Sequence, residues 1–190
     1  MLYLTTWDFI HENTDGVCKK IKSQVVVFKG AGCEVDIVYI KGNRIIYEEN
    51  GNSRVVGRVG NMKKVSAYIK LYSVLKGKKY DCVYNRYGMM DSFYYRVLAK
   101  LHENGARIVI EMPTYPYDGE RPAGILYWAM FQWDRIYRGK LKDIVDRIVT
   151  YSRDDKIYTV PTIRIRNGID LELVHPVSGK RLDDTIVVIV

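Results

Sequence analysis

Short apolar runs alternate along the chain with longer segments in which apolar residues recur every three or four positions. The short runs predict buried strands, and the longer segments predict helices with one apolar face. The predicted strands are residues 2–6, 34–40, 44–49, 81–85, 107–111, 147–151 and 162–166. The predicted helices are residues 17–31, 61–75, 91–104 and 122–138. This alternation predicts an α/β fold, with a Rossmann-like parallel sheet and helices on both of its faces.

The spacing of apolar residues also predicts which side of the first two helices is buried. The first predicted face consists of Cys18, Ile21, Val25 and Phe28. The second consists of Val65, Tyr68, Ile69, Tyr72 and Leu75. Gly30 and Gly32 follow a helix and precede a strand, so they predict a helix C-cap and not a dinucleotide-binding fingerprint, which has the reverse order. Gly105 is placed to end the third helix.

Parallel sheets bind ligands at the carboxyl ends of their strands, so the candidate chemistry lies in the loops after Thr6, Asn85, Glu111 and Tyr151. Glu111 ends a predicted buried strand at this edge. A carboxylate there could bind an acceptor hydroxyl or assist proton transfer as a catalytic group. The alternative is a structural hydrogen bond to a neighbouring loop.

The first predicted helix begins next to a glycine. Gly16 would let a ligand approach the backbone, and the free N–H groups of the first helical turn could bind phosphate. Lys19 and Lys20 would add positive charge, although lysines at such positions commonly lie in solvent. The alternative is an ordinary helix start with Asp15 as its N-cap.

The segment after Glu111 has a composition that suits carbohydrate. Tyrosine rings can pack on the apolar face of a sugar, and acidic side chains can bind its hydroxyl groups. The candidate acceptor-binding residues are Thr114, Tyr115, Tyr117, Asp118 and Glu120. Segments of this composition also occur as turn-rich connectors without a binding role.

The segment 124–142 combines aromatic residues with a cationic end. Its apolar residues include Leu126, Tyr127, Trp128, Met130, Phe131 and Trp133. Its cations are Arg135, Arg138, Lys140 and Lys142. This composition is that of an interfacial membrane helix, which predicts peripheral membrane contact. A helix that is apolar nearly all round is also typical of a buried position between the sheet and its loops.

Charge and composition bear on three further properties: nucleic-acid binding, metal binding and cellular location. The net charge is +8, but the positive residues are dispersed and no nucleic-acid-binding motif is present, which predicts that the chain binds no nucleic acid. The three cysteines form no CxxC pair and the three histidines lie far apart, so no metal site is predicted. The N-terminus lacks the features of a signal peptide, which predicts a cytoplasmic protein, with peripheral contact at the inner face of the membrane left open.

Two sequence motifs occur in the same order as in a known protein family, which the chain therefore resembles. The sequence Asp-Arg-Ile-Val-Thr-Tyr-Ser ends at Ser152, and Asn-Gly-Ile-Asp begins fifteen residues later at Asn167. This arrangement resembles the retaining glycosyltransferases of family 4, which have the two-domain GT-B fold. The loop at 15–20 matches the position of their glycine-containing loop. The segment 111–120 resembles the acceptor-side loop of members that build bacterial capsules and exopolysaccharides.

The resemblance implies the acceptor-binding half of an enzyme that transfers a sugar from a nucleotide-sugar donor to a glycan or lipid-linked acceptor. It implies no cofactor and no metal, a donor-phosphate loop at Asp15, Gly16 and Lys19, and interdomain contacts at Ser152, Asn167, Gly168 and Asp170. Residues 1–170 would form this domain. Residues 171–190 would be a linker and the first strand of a donor-binding domain, so this chain alone is predicted to be inactive.

The chain also departs from the family. Many members have a reactive histidine at the position that Glu111 occupies here, so the role of that histidine cannot be transferred. The Glu-x7-Glu motif that holds the donor belongs to the C-terminal domain of the family, which this chain is not expected to include. The alternative function is a non-catalytic Rossmann-like module that binds a small phosphorylated ligand.

Overall fold

The apolar runs of the sequence form the strands of one sheet. The structure is a computed structural model that describes residues 1–7, 16–60, 63–116 and 124–166. Within these ranges the strands are β1 (Leu2–Leu4), β2 (Asp36–Lys41), β3 (Arg44–Glu49), β4 (Asn52–Arg58), β5 (Cys82–Arg86), β6 (Arg107–Met112), β7 (Arg147–Thr150), β8 (Lys156–Ile157) and β9 (Val160–Arg164). The helices are α1 (Gly16–Gly30), α2 (Lys63–Leu75), α3 (Ser92–Glu103) and α4 (Ile125–Arg138).

The strand order is β4-β3-β2-β1-β5-β6-β7-β9-β8. The six central strands pair in parallel, in the order β2, β1, β5, β6, β7 and β9. The strands β3 and β4 at one edge and β8 at the other are antiparallel. The prediction of an α/β, Rossmann-like fold is therefore confirmed. Because β1 pairs with β2 on one side and with β5 on the other, the order of connections reverses there, which is where such sheets bind ligands.

Helices cover both faces of the sheet, as the alternating pattern predicts. On one face, α1 buries Cys18, Ile21 and Val25 and partly buries Phe28, which confirms the predicted face of this helix. The other face carries the larger core, to which α2 and α3 contribute most of the helical residues. The polar network described below lies on the α1 face, so it is assembled between one helix and the parallel strands.

The predicted apolar face of α2 is partly wrong. Tyr68 and Leu75 are buried, but Ile69 is 44% exposed and Tyr72 is 39% exposed, while Leu71 is buried instead. The physical reason is the packing of α2 on α3, where Tyr68 stacks on Tyr94 with ring centroids 4.4 Å apart. This contact sets the rotation of the helix and turns the neighbouring apolar positions toward solvent.

The turn predicted at Asn50 and Gly51 joins a hairpin whose second strand was not predicted. Both turn residues have positive φ, 51° and 78°, as a tight two-residue hairpin between β3 and β4 requires. The β4 strand escaped prediction because most of its side chains are exposed at the sheet edge, so it lacks an alternation of apolar and polar residues. The two-residue β8 is too short to leave a pattern.

The predicted glycine caps are confirmed. After α1, Gly32 has φ 82° and donates to the Lys29 carbonyl, while the Cys33 N–H donates to the Phe28 carbonyl. These two bonds are the Schellman motif, which satisfies the last carbonyls of a helix. Gly105 ends α3 with φ 99° and the same pair of bonds.

Candidate functional site

A buried polar network joins α1 to the carboxyl ends of the central strands. We call it the Glu111 cluster. It consists of Tyr3 on β1, Lys20 and Gln24 on α1, Tyr84 and Arg86 on β5, Glu111 on β6, and Tyr151 directly after β7. It lies at the edge of the sheet where the sequence predicts the site, next to the point at which the strand order reverses.

Strand register and helix spacing bring these side chains together. Arg86 is the register partner of Glu111 in the parallel pair of β5 and β6, so their side chains emerge side by side on the same face of the sheet. Tyr84 lies two residues before Arg86 and points to that face as well. Lys20 and Gln24 are separated by one helical turn, so both project from α1 toward the strands.

Glu111 is the centre of the network and is fully buried. Its Oε1 lies 2.5 Å from Lys20 Nζ and 3.1 Å from Arg86 Nη1. Its Oε2 accepts from Gln24 Nε2 at 3.0 Å and from the Tyr84 hydroxyl at 3.2 Å. Two cations and two neutral donors therefore compensate one buried carboxylate, which is the condition under which a buried charge is tolerated.

Further hydrogen bonds extend the cluster to the neighbouring strands. The Tyr3 hydroxyl donates to Gln24 Oε1 at 2.7 Å, so Gln24 bridges β1 to Glu111. Lys20 donates to the Tyr151 hydroxyl, and its ammonium lies 4.4 Å from the centroid of that ring. Lys20 thereby connects α1 to the end of β7 as well as to β6.

The cluster has an excess of positive charge. Lys20 and Arg86 supply two cations against the single carboxylate of Glu111. Burial raises the pKa of Tyr3 and of Tyr84 well above the ordinary value of tyrosine, and the negative charge of Glu111 raises both further. Both hydroxyls therefore stay protonated and act as donors, and they contribute no negative charge that would offset the excess.

The cluster opens to solvent at Lys20. The Lys20 side chain is 25% exposed, whereas that of Arg86 is 7% exposed and that of Glu111 is not exposed at all. One turn earlier, α1 begins at Gly16, where a Cβ would meet no described atom within 4 Å. Crowding within the described residues therefore does not explain this glycine. Lys19 is exposed in the first turn of the same helix, so the described residues at this end of α1 carry further positive charge.

The buried position of Glu111 favours the structural interpretation of this residue. Its two oxygens are engaged by four protein donors, and solvent does not reach them. A group that transfers a proton must contact the reacting atoms. In this arrangement, Glu111 instead positions Lys20, whose side chain is 25% exposed.

The other predicted site residues that the structure describes lie in the loops after β6 and β7. Thr114 is exposed. Tyr115 is half-buried and packs edge-on against the ring of Tyr158, with centroids 5.8 Å apart. The Ser152 hydroxyl bonds the Asp154 carboxylate in a tight turn. Seven predicted site residues lie outside the described residues: Asp15, Tyr117, Asp118, Glu120, Asn167, Gly168 and Asp170.

An ion pair on α4 was not recognised from the sequence. Asp134 is fully buried and accepts from the Tyr87 hydroxyl at 2.5 Å and the Met90 N–H at 2.7 Å. Arg138 is 4% exposed, lies 3.6 Å from Asp134 and donates to the Tyr158 hydroxyl at 2.9 Å. The pair therefore holds the loop after β5 at the carboxyl edge of the sheet.

The signal for this pair was an aspartate and an arginine at i and i+4 within an otherwise apolar helix. The assignment of Arg138 to the cationic end of a membrane helix is wrong, because its guanidinium faces the protein interior. The interpretation of α4 as a helix buried on all sides is also wrong. Several of its large apolar residues are exposed, as described further below.

A surface groove lies at the opposite edge of the sheet. It has a volume of about 890 Å³ and is lined by residues at the amino ends of β5, β6 and β7, including Cys82, Arg107 and Asp146. The Asp146 carboxylate already accepts the Ile108 N–H at 2.7 Å. Parallel sheets bind ligands at the other edge, where the Lys20 side chain is partly exposed, so that edge is the better candidate.

The described residues contain no group of three or more His, Cys, Asp and Glu side chains arranged to hold a metal ion. In the same part of the chain, no helix has both the length and the apolar character needed to cross a bilayer. No protein-family model matches the chain, and no curated protein matches its sequence.

Proposed function

We propose that this chain forms the acceptor-binding half of a GT-B glycosyltransferase. In this proposal the enzyme transfers a sugar, with retention, from a nucleotide-sugar donor to a glycan or lipid-linked acceptor. The observation that carries the proposal is the Glu111 cluster. It holds a partly exposed lysine at the carboxyl edge of a Rossmann-like sheet, beside the point where the strand order reverses.

Sugar transfer from a nucleotide sugar releases a diphosphate, whose growing negative charge must be stabilised. Protein cations and helix N-termini can provide this stabilisation when they are fixed in place before the reaction. Lys20 is fixed in this way by Glu111 and Tyr151, and it lies in the second turn of α1. Gly16 and Lys19 are exposed in the preceding turn of the same helix. These groups would form one wall of the donor-phosphate site.

The acceptor would bind along the loops after β6 and β7. These two strands are adjacent and parallel, so their carboxyl ends lie side by side. Thr114 and Ser152 follow these ends and offer hydroxyl groups. Tyr115 contributes an aromatic ring that Tyr158 holds in place. The contributions of Tyr117, Asp118 and Glu120 stay a prediction from the sequence.

The test is a donor screen on the protein translated from its complete reading frame. The protein is incubated with a panel of nucleotide sugars, with and without glycan and polyprenyl-linked acceptors, and release of nucleoside diphosphate is followed by chromatography. We expect release with one donor class and at least about a tenfold loss of rate in Lys20→Met, since a preorganised charge typically contributes at least that much. Lys70→Met, an exposed change on α2, is the matched control. A folded protein that acts on no donor would contradict the proposal.

A second candidate is a non-catalytic module that binds a small phosphorylated ligand. The observation that favours it is the complete saturation of Glu111, which leaves no carboxylate at the described edge of β6 free for proton transfer. Calorimetric titration with inorganic pyrophosphate and with nucleoside diphosphates separates the two candidates. Binding that depends on Lys20, together with an absence of turnover in the donor screen, would favour the module.

A further inference from the structure

The solvent side of α4 is apolar. Ile125 is 86% exposed, Trp128 56%, Trp133 43% and Ile136 62%. Ala129 is exposed between them. We call these five residues the α4 outer face. Their spacing of three, four or eight residues along the helix places them on one side of it.

The opposite side of α4 contains a buried ion pair, which fixes the rotation of the helix. Asp134 and Arg138 lie there and bond to the loop after β5 and to Tyr158. Turning α4 to bury Trp128 and Trp133 would expose this ion pair and leave its partners without their bonds. The exposed apolar face is therefore built into the packing of the helix.

Cations border the α4 outer face. Arg135 is exposed within the helix, and Lys140 and Lys142 are exposed directly after it. Asp143 is the one acidic residue exposed in the described segment 124–143. Exposed tryptophan and isoleucine beside lysine and arginine suit the boundary between lipid headgroups and acyl chains. The net charge of the chain, +8, has the sign that anionic lipids attract.

We propose that the α4 outer face docks on an anionic membrane surface, with α4 lying in the plane of the interface. The helix has 14 residues and is about 21 Å long, which suits an interfacial position. A second copy of the chain is the other apolar partner to consider. A symmetric contact would pair the face with itself, so the cations of both copies would border one interface, and Asp143 is the one exposed countercharge in the described segment 124–143; this lack of charge complementarity disfavours the dimer.

The inference does not depend on the proposed function. It rests on the exposure of α4 and the inward Asp134–Arg138 pair, whereas the proposed function rests on the Glu111 cluster on the other face of the sheet. Membrane docking can therefore fail while sugar transfer succeeds, and the reverse. The donor screen with soluble acceptors measures sugar transfer, and the vesicle experiment below measures docking alone.

The experiment uses tryptophan fluorescence and vesicle flotation. The chain has three tryptophans, and Trp7→Phe leaves Trp128 and Trp133 as the reporters. Vesicles of phosphatidylcholine alone are compared with vesicles that also contain phosphatidylglycerol. We expect a blue shift and reduced quenching by iodide with the anionic vesicles, together with flotation that weakens as salt is added.

Two variants and their controls test the roles of the apolar and cationic groups. Trp128→Ser with Trp133→Ser, in the chain that retains Trp7, should reduce partitioning by at least about tenfold, since two large aromatic rings are removed from the interface. Val26→Ser with Val27→Ser, at exposed positions on α1, should leave it unchanged. Arg135→Glu with Lys140→Glu should abolish the preference for anionic lipid. Lys70→Glu with Lys76→Glu on and beside α2 should preserve it.

Circular dichroism of each variant checks the fold, which these exposed positions should not disturb. Absence of a fluorescence shift and of flotation with anionic vesicles would overturn the proposal. So would a loss that is equal in the α4 and α1 variants. Light scattering measures the oligomeric state, and a dimer that Trp128→Ser and Trp133→Ser dissociate, without vesicle binding, would assign the face to a second copy instead.

Discussion

Replacement of Glu111 by glutamine tests the energetic role of the Glu111 cluster. The change keeps the size of the side chain and removes its negative charge. Lys20 can respond by turning to water, because its side chain is already 25% exposed. Arg86 cannot do so, because its side chain is 7% exposed and lies 3.1 Å from the carboxylate. The cost of the substitution is therefore mainly that of leaving Arg86 buried without a countercharge.

The magnitude follows from this burial. Breaking a buried ion pair by removing one partner typically costs about 3–5 kcal/mol. A domain of this size loses about 2–4 °C in Tm for each kcal/mol, so we expect a decrease of about 6–20 °C. The exposed pair of Lys100 and Glu103, with side chains 35% and 63% exposed, provides the control. Glu103→Gln should change stability by less than about 1 kcal/mol.

Thermal and urea unfolding followed by circular dichroism measure both effects. Arg86→Met combined with Glu111→Gln completes a double-mutant cycle, and the double variant should lose less stability than the sum of the two single variants, because the two residues share one interaction. A Tm for Glu111→Gln within about 2 °C of the unchanged protein would refute the assignment of a buried, compensated carboxylate. Additive effects in the cycle would refute the direct pairing.

Four further substitutions test particular contacts. The raised pKa of Tyr84 favours its protonated hydroxyl in the folded protein, so its contribution to stability is complete below the unfolded pKa of about 10 and decreases as the pH rises above it. Tyr84→Phe should therefore flatten the alkaline limb of a Tm-against-pH profile, and a limb of unchanged slope would contradict this. Asp134→Asn should cost about 3–5 kcal/mol in urea unfolding, because it leaves Arg138 buried without a countercharge. Asp91→Ala removes the side chain that accepts from two N–H groups of α3 and should cost about 1 kcal/mol, measured in the same way. Gly105→Ala should cost about 1–2 kcal/mol because φ is 99° there, and no loss would show that the turn can relax.

The parallel sheet was predictable from the sequence because its strands are apolar on both faces and are punctuated by recognisable caps. Runs such as that in β6 and the glycines after α1 and α3 each reflect a local requirement of the backbone. The rotation of α2 was not predictable in full, since the stacking of Tyr68 on Tyr94 decides it and this contact joins residues distant in sequence. The β4 strand was missed because its exposed edge position imposes no apolar pattern.

The sequence was sufficient to predict the location of the candidate site, at the carboxyl edge of the sheet, but not the set of residues that form it. Glu111 was identified because it is a charged residue at the end of a buried strand. Its partners Lys20, Gln24 and Arg86 lie 25 to 91 residues away, and only the register of β5 with β6 and the docking of α1 bring them to it. The inward orientation of Asp134 and Arg138 was not predictable for the same reason, because it depends on contacts of α4 with residues distant in sequence.

The central claim is that a phosphorylated ligand binds at the carboxyl edge of the sheet beside Lys20. Amide chemical shifts in an NMR titration with inorganic pyrophosphate and with nucleotide sugars test it most directly. We predict that the largest shifts occur in the first turns of α1, from Gly16 to Lys20, and at Tyr151, and that Lys20→Met removes them. Shifts confined to the amino edge, around Cys82, Gly105 and Arg107, or no shifts with any of these ligands, would contradict the account.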